Sequence, residues 1–340
     1  MTRVIATEDL STTLPLSVLV DERHQHTDPS RAPPRATGLW VGPFRGTRRG
    51  QGTDFDDLRD YVAGDEVRHI DWKVSARRGN LHTRLYREEK EHVMTFLADF
   101  RGPMFTGSKT LLSVTTGRLL AGLIWHAIDA SSRVSLMVVT DEGIQSTRPA
   151  SGHKSAIAAC GLLASCFAVA RTSSMSSTKS PAQSATKSST KSPAQSATNS
   201  ATQSATNMLN TALQELLALG RQVGTVVVAS NFVDSGHDNF FATLNTLSQA
   251  RPVVAIHMED PLCYEGLPSG RYRYQSDSRG KPSPRVTQLR GSDRDKLLDY
   301  LATQRATLIE HFRTAKVSLV DGRISLSQVK AILHHQGLLS

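Results

Sequence analysis

Short apolar runs, each about as long as a β-strand, recur from residue 93 onward and alternate with longer amphipathic stretches. The runs are Val93–Ala98, Val134–Val139, Val223–Ala229, Val253–Met258 and Val317–Val320. Unbroken apolar runs of this length are typical of strands that are covered on both faces. The alternation of strands and helices therefore predicts an α/β fold, a mostly parallel sheet with helices on both faces.

Helical periodicity fills the intervals between these strands. The predicted helices run from Ser108 to about Ala130, Gly152 to Ala170, Met208 to Gly220, Gly236 to Gln249, Ser292 to about Phe312, and from Ser325 onward. Asp141-Glu142-Gly143 predicts a tight turn before a short return strand at Ile144–Thr147, and Arg271–Gln275 predicts part of a hairpin. These elements complete the secondary structure that the pattern predicts after residue 92.

Residues 52–91 follow a different pattern and form the densest cluster of charges in the chain. Phe55, Leu58 and Val62 recur at helical spacing after several aspartates, so a short helix is predicted there. Residues 65–72 predict no regular element, Arg78-Gly79-Asn80 predicts a turn, and residues 81–86 alternate as a strand does. The aromatic residues Tyr61 and Trp72 predict at least partial burial of this block.

Acidic and basic side chains are interleaved within this block and nearly cancel. One interpretation is that arginine–carboxylate forks hold an irregular segment in place. The other interpretation is a solvated charged surface. The residues alone leave both open.

The stretch FDDLRDYVAGDEVRHIDWKVSARRGNL, from Phe55 to Leu81, resembles the signature of the domain-of-unknown-function 58 family. A second similarity begins at Glu259-Asp260-Pro261-Leu262, and together they span roughly residues 45–335. The resemblance implies a von Willebrand factor A-like fold and, as partner, a MoxR-type AAA+ ATPase with an unknown client. The motif residues it singles out are Arg59, Tyr61, Gly64, Asp65, Arg68, Asp71, Trp72 and Arg77.

Four segments follow from the composition. Residues 1–51 are predicted to be a flexible basic arm, within which Leu14–Val20 fits a short strand, a docking peptide or a disordered stretch. Residues 52–91 form the charged signature block, and residues 92–335 the α/β domain. Residues 172–206 repeat Ser, Thr, Ala, Gln, Lys and Asn with almost nothing to bury, which predicts a disordered insertion in a surface loop.

Ligand sites in such sheets lie beyond the carboxyl ends of the strands. In von Willebrand factor A domains, the loop after the first strand carries Asp-x-Ser-x-Ser, and a later strand adds an Asp, to hold a divalent cation. The corresponding positions here are Asp99, Arg101, Pro103 and Asn231. Arginine and proline offer no ligand oxygen on their side chains, so we expect a degenerate, metal-free site in which Arg101 takes the place of the ion.

No phosphate-binding loop and no G-x-S-x-G nucleophile motif occurs in the sequence, so we expect a non-enzymatic interaction protein without a cofactor. Two alternatives remain. The net charge of +9 and the arginines of residues 31–49 allow binding to nucleic acid or another anionic surface. The acidic cluster of Asp65, Glu66, His69 and Asp71 allows a metal-dependent hydrolase.

Three cysteines cannot form a closed disulfide framework, which favours a reducing compartment. No secretory signal is evident, and the longest apolar run, Ile157–Ala170, is shorter than the ~20 residues of a typical membrane helix. We therefore expect a cytoplasmic protein with no membrane span and no specific nucleic-acid partner.

Overall fold

A computed structural model describes residues 10–24, 54–62, 66–87, 92–177, 208–220, 223–233, 239–266, 270–275, 284–289, 291–322 and 326–335. The chain divides into two compact units. The larger unit comprises residues 1–43 and 93–340, and the smaller unit comprises residues 44–92. The predicted segment boundaries at residues 51 and 91 stay predictions.

A six-stranded sheet forms the centre of the larger unit. Its strands are β3 (Val93–Asp99), β4 (Arg133–Val139), β5 (Ile144–Ser146), β6 (Thr225–Ser230), β7 (Val253–His257) and β10 (Ser318–Asp321). They lie in the order β10-β7-β6-β3-β4-β5, and every neighbouring pair is parallel except β4 with β5. The predicted α/β fold with a mostly parallel sheet is confirmed.

Helices connect the strands of the larger unit. They are α1 (Leu16–Asp21), α3 (Leu112–Asp129), α4 (His153–Ser177), α5 (208–218), α6 (Phe240–Ala250), α7 (Leu262–Glu265), α8 (Gly291–Thr314) and α9 (Leu326–His335). A separate two-stranded antiparallel sheet pairs β8 (Gly270–Gln275) with β9 (Pro284–Leu289), as the hairpin prediction required.

Alternate residues of the central strands enter two hydrophobic clusters. Phe96 and Ala98 of β3 pack into the cluster that contains α3, α4 and α9. Leu97 of the same strand packs into the cluster that contains α5, α6 and the end of α8. Because side chains alternate along a strand, the two clusters lie on opposite faces of the sheet, which explains the unbroken apolar runs in the sequence.

Two helix boundaries differ from the predictions. Helix α3 begins at Leu112 rather than near Ser108, because residues 102–104 form a 3-10 turn and the chain continues irregularly before the helix. Helix α4 continues to Ser177, so residues 172–177, which were predicted to begin the disordered insertion, belong to this helix. The short helix α7 has no counterpart among the predicted elements, and β9 is predicted only as an unplaced partner strand of the hairpin. The remaining described helices and strands after residue 92 lie within a few residues of their predicted positions.

By length and composition, one helix in the described part of the chain is apolar enough to cross a membrane, namely His153–Ser174 within α4. Core helices of soluble proteins pass the same test, and Leu163 and Phe167 of α4 are buried in the hydrophobic core. This helix is therefore weak support for membrane insertion, and the absence of a membrane span stays a prediction.

Residues 10–24, which include the short helix α1, pack on α3 and α4 within the larger unit, and this corrects the prediction of a flexible arm for these residues. The Trp125 indole Nε1–H donates to the Leu19 carbonyl oxygen over 3.0 Å, and Leu19 is fully buried. Leu14 fills the space over Gly117, where a Cβ atom would lie only 2.4 Å from a Leu14 methyl carbon. Of the three interpretations of Leu14–Val20, a docking peptide fits best.

The smaller unit contains β1 (Asp54–Asp60), a 3-10 turn at Val67–His69, α2 (Trp72–Arg78) and β2 (His82–Arg87). The helix predicted around residues 55–62 is wrong, because residues 54–60 form a strand antiparallel to β2. A register shift lies between Phe55 and Asp57, so positions 55 and 58 pair with Tyr86 and Arg84. Phe55 and Leu58 are three positions apart in β1, but their partners on β2 are only two positions apart. The extra residue in β1 therefore gives the apolar positions a spacing that resembles helical periodicity.

Candidate functional site: the carboxyl edge of the sheet

The carboxyl ends of β3, β4, β6 and β7 meet at one edge of the larger unit, where the sequence placed the candidate site. Asp99 closes β3 and is followed by a 3-10 turn at Gly102–Met104. Ser230 closes β6, and its carbonyl oxygen accepts the Met258 N–H over 2.8 Å. The parallel sheet thus brings these loops together.

The Asp99 carboxylate and the Arg101 guanidinium form a buried, forked ion pair. Arg101 Nε donates to Oδ1 of Asp99 over 2.9 Å, and Arg101 Nη2 donates to Oδ2 over 2.8 Å. Asp99 is 0% exposed and Arg101 is 2% exposed. Burial makes this contact far stronger than a surface ion pair of the same geometry.

Two further donors complete the surroundings of the Asp99 carboxylate. The Arg101 backbone N–H donates to Oδ1 over 3.1 Å, and the Ser230 hydroxyl donates to Oδ2 over 2.6 Å. An ionised carboxylate accepts about four hydrogen bonds, so these four donors saturate it. The Phe232 N–H donates to the Ser230 hydroxyl oxygen over 3.0 Å and holds that hydroxyl in place.

Side chains from neighbouring strand ends hold the loop after β3. The Asn231 amide Nδ2 donates to the Pro103 carbonyl oxygen over 3.2 Å. The Gly102 N–H donates to Asp141 Oδ2 over 2.8 Å. Asn231 and Pro103 therefore lie at the site, as the sequence predicted, but they position the loop through a backbone carbonyl.

These residues do not fit a divalent cation of the kind that von Willebrand factor A domains hold. A hard cation such as Mg²⁺ needs about six oxygen ligands. Both oxygens of Asp99 are engaged by donors, and the cationic Arg101 guanidinium lies against them. The geometry matches the expectation that arginine takes the place of the ion, and the lack of metal binding stays a prediction.

A second charged group lies at the end of β7, next to the other similarity stretch. Arg305 of α8 forms a two-pronged contact with Glu259, with Nε–Oε2 and Nη2–Oε1 distances of 3.0 and 2.9 Å. The same guanidinium lies over the Tyr264 ring, 3.6 Å from its centroid. This contact joins α7 and α8 to the sheet edge and is a structural role for Glu259.

His257 ends β7 beside this group, with Nδ1 3.9 Å from Glu259 Oε2. Burial lowers the pKa of His257, although Glu259 and Asp321 oppose that shift. Burial also raises the pKa of Tyr264, as does its hydrogen bond with Glu259. Both side chains are therefore held in their neutral forms near pH 7, and neither is tuned to exchange a proton there.

Candidate functional site: the signature block

The motif residues of the smaller unit divide between exposed and buried positions. Arg59, Arg68 and Arg77 are exposed, and Tyr61 is partly buried, with its N–H donating to the Leu81 carbonyl oxygen over 2.8 Å. Gly64 and Asp65 lie outside the described residues. The exposure of these three arginines favours a solvated charged surface over a network of buried forks.

Asp71 and Trp72, which are adjacent in sequence, have opposite environments. Asp71 is 8% exposed and caps α2, because its Oδ1 accepts the N–H groups of Lys73 and Val74, each over 3.1 Å. Trp72 is 62% exposed, so the predicted burial of this indole is wrong. The capping residue orients the helix, and the indole beside it faces solvent.

The acidic cluster considered for hydrolysis does not converge on one point. Glu66 pairs with Arg68, and this hydrogen bond lowers the pKa of the Glu66 carboxyl. Its Oε2 lies 3.8 Å from Nε2 of His69, while Asp71 serves as the helix cap. Within the described residues, no group of three or more His, Cys, Asp or Glu side chains has the geometry to hold a metal ion.

Sequence reasoning missed two contributors to these sites. Ser230 is absent from the predicted site residues, yet its hydroxyl donates directly to the Asp99 carboxylate. Helix α2 was missed although Asp71 precedes it and Gly79, with a φ of +79°, ends it. An Asp before and a Gly after a seven-residue stretch are the usual capping signals, and they would have found this helix.

The sheet order, with a carboxylate at the end of its central strand, defines an α/β protein consistent with a von Willebrand factor A-like arrangement. The family model described as "Protein of unknown function DUF58" matches residues 57–288. The match covers more than half of the chain, and the chain belongs to this family. A comparison with curated protein sequences gave no match.

Two solved structures are similar to the chain at low identity. The conserved hypothetical protein BatB from Bacteroides thetaiotaomicron is 12% identical, with 72% of this chain and 98% of that chain covered and a TM-score of 0.35. An aerotolerance-related membrane protein from Bacteroides fragilis, with multiple mutations to serines, is 16% identical, with the same coverage and a TM-score of 0.33. Scores this low carry no argument about function.

Proposed function

We propose that this DUF58 protein is a non-enzymatic interaction protein whose partner is a MoxR-type AAA+ ATPase and which acts on the assembly or regulation of a client complex. The observation that supports an interaction without a metal bridge is the saturated Asp99 carboxylate. A von Willebrand factor A domain that bridges its ligand through a metal needs an open coordination position, and four donors close this one. Binding therefore proceeds without a metal bridge.

The choice of partner rests on the family resemblance in the sequence. Cytoplasmic location belongs to the same proposal, because the buried Cys160 and Cys166 are free thiols and suit a reducing compartment. Burial raises the pKa of Cys160 to about 12, so this thiol has no catalytic reactivity at neutral pH. The anionic-surface alternative rests on residues 31–49, which lie outside the described residues.

The test is a binding measurement between the purified chain and the purified MoxR-type ATPase of the same organism, by biolayer interferometry. The ATPase is presented nucleotide-free in EDTA and, separately, with Mg²⁺ and nucleotide. An unrelated AAA+ ATPase serves as the specificity control. We expect binding to the MoxR-type ATPase that does not need a metal on this chain. Absence of binding in both nucleotide states contradicts the proposed partner.

A further inference from the structure

The short helix α2 of the smaller unit has two sides with different chemistry. Its inward side is fixed by Asp71 and Ser75, both buried. The Asp71 N–H donates to the His82 carbonyl oxygen over 2.9 Å, and the Ser75 hydroxyl oxygen accepts the His82 N–H over 2.9 Å. These contacts with β2, together with the Asp71 cap, hold the helix in one orientation.

The outward side of α2 carries Trp72, Lys73, Ala76 and Arg77, and all four residues are exposed. Positions i, i+1, i+4 and i+5 of a helix share one face, so the four side chains form one surface, here called the α2 face. In the described part of the chain, the side chains of Lys73 and Arg77 have no ion-pair partner. The α2 face thus combines one large exposed aromatic ring with two exposed, positively charged side chains.

The burial pattern argues that this face is not a product of folding alone. An indole with 62% of its surface exposed contributes little to the stability of its own unit. The same unit also exposes Val67 and Leu81, at 60% and 44%. Exposed tryptophan and arginine are the residue types that contribute most to binding at protein interfaces.

We propose that the α2 face docks on an acidic protein surface that offers an apolar pocket for the Trp72 indole. Charge complementarity requires carboxylates opposite Lys73 and Arg77. The buried Asp71 and Ser75 anchors hold the helix backbone in one orientation, so little backbone entropy is lost on binding. A single-stranded nucleic acid is less suited, because it stacks successive bases on several aromatic rings, and α2 offers one.

This inference rests on the proposed function for the identity of the probe, which is the purified MoxR-type ATPase. The two binding variants are Trp72→Ala and the double variant Lys73→Glu/Arg77→Glu. The matched control is Arg148→Glu/Lys154→Glu, which reverses two exposed charges of the larger unit. Trp72→Phe serves as the conservative variant, and circular dichroism melts establish that each variant is folded.

We expect both binding variants to raise the dissociation constant by about tenfold or more, while the matched control binds like the wild type. Trp72→Phe is expected to bind more tightly than Trp72→Ala. Replacing acidic residues of the ATPase by lysine one at a time should restore binding of the Lys73→Glu/Arg77→Glu variant at the contact position.

Three outcomes overturn the inference, and they differ in what they imply for the proposed function. If the wild type binds the ATPase and folded α2-face variants bind equally well, the docking surface is wrong and the partner is right. If the wild type does not bind the ATPase, the proposed function is wrong, and so is the acidic partner surface assigned to it. Loss of binding by these variants to a thymidine oligonucleotide, but not to the ATPase, assigns the face to nucleic acid instead.

Discussion

The buried Asp99–Arg101 pair makes a quantitative prediction for the variant Arg101→Met. Methionine keeps the unbranched apolar stem but removes the guanidinium, which supplies two of the four donors to Asp99. Because Asp99 is 0% exposed, the carboxylate keeps its burial and loses its counter-charge. Breaking one side of a buried ion pair costs ~3–5 kcal/mol. For a unit of this size that corresponds to a melting temperature lower by roughly 5–10 °C.

A double-mutant cycle separates the pair from its surroundings. Asp99→Asn alone leaves the buried Arg101 without a counter-ion and should also be strongly destabilising. The double variant removes both charges, so its free energy of unfolding should exceed the additive expectation by about 1–3 kcal/mol. Urea denaturation followed by circular dichroism measures all four proteins. The exposed Arg148→Met is the control and should lie within about 0.5 kcal/mol of the wild type.

Two results refute this reasoning. If Arg101→Met lies within about 1 kcal/mol of the wild type, the guanidinium does not neutralise a buried charge. If the two single variants are additive, the forked contact carries no coupling. In either case the guanidinium does not act as the counter-charge of Asp99, and the argument that arginine takes the place of the ion fails.

Four further predictions address other parts of the molecule. Calorimetric titration with Mg²⁺ or Mn²⁺ should show no stoichiometric micromolar binding, and such binding, if abolished by Asp99→Ala, contradicts the degenerate site. Asp71→Ala should destabilise the smaller unit by about 1–2 kcal/mol through loss of the helix cap. Trp72→Ala should change the unfolding free energy of the same unit by about 0.5 kcal/mol or less. If chemical denaturation gives the opposite order for the two variants, the observed burial of these residues is contradicted. Burial lowers the pKa of His257 below the ordinary value of 6.5, so the stability that is present above pH 6.5 is lost as the pH falls through the folded-state pKa. Melting temperatures of His257→Gln should therefore fall less between neutral and acidic pH than those of the wild type. An unchanged dependence of the melting temperature on pH would assign the effect to other groups. Replacing residues 178–206 by a short Gly/Ser linker should leave the melting temperature within a few degrees, because their composition offers almost nothing to bury, and a large loss would show that they pack on the domain.

The larger unit was predictable from sequence because its signals are local and repeated. Val93–Asp99 and Thr225–Ser230 are apolar runs buried on both faces, and burial of that kind leaves little freedom in residue choice. The forked Asp99–Arg101 contact was also accessible, since a cation two residues after a buried carboxylate in one loop has few other partners. The contribution of Ser230 depends on strand order, which no local pattern contains.

The smaller unit resisted prediction for a different physical reason. Its strand β1 contains an irregular register, so the spacing of Phe55 and Leu58 imitates a helix. Its one α-helix in the described residues spans seven residues, too few for a hydrophobic period to stand out, and only the caps Asp71 and Gly79 mark it. The predicted burial of Trp72 was wrong because aromatic residues are usually buried, and a sequence does not show which face of a short helix is turned outward.

The order of the two units along the chain has a consequence for what the smaller unit is joined to. The smaller unit ends at His92, and the next residue, Val93, begins β3, which lies between β4 and β6 at the interior of the sheet. On the other side, the chain returns to a helix anchored by the Trp125 contact with Leu19. The smaller unit is therefore joined along the chain to a strand that has parallel neighbours on both sides, whereas the six-residue helix α1 precedes the smaller unit in the sequence. Whatever binds the smaller unit is thus linked, along the chain, to the same strand that carries Asp99 at its carboxyl end.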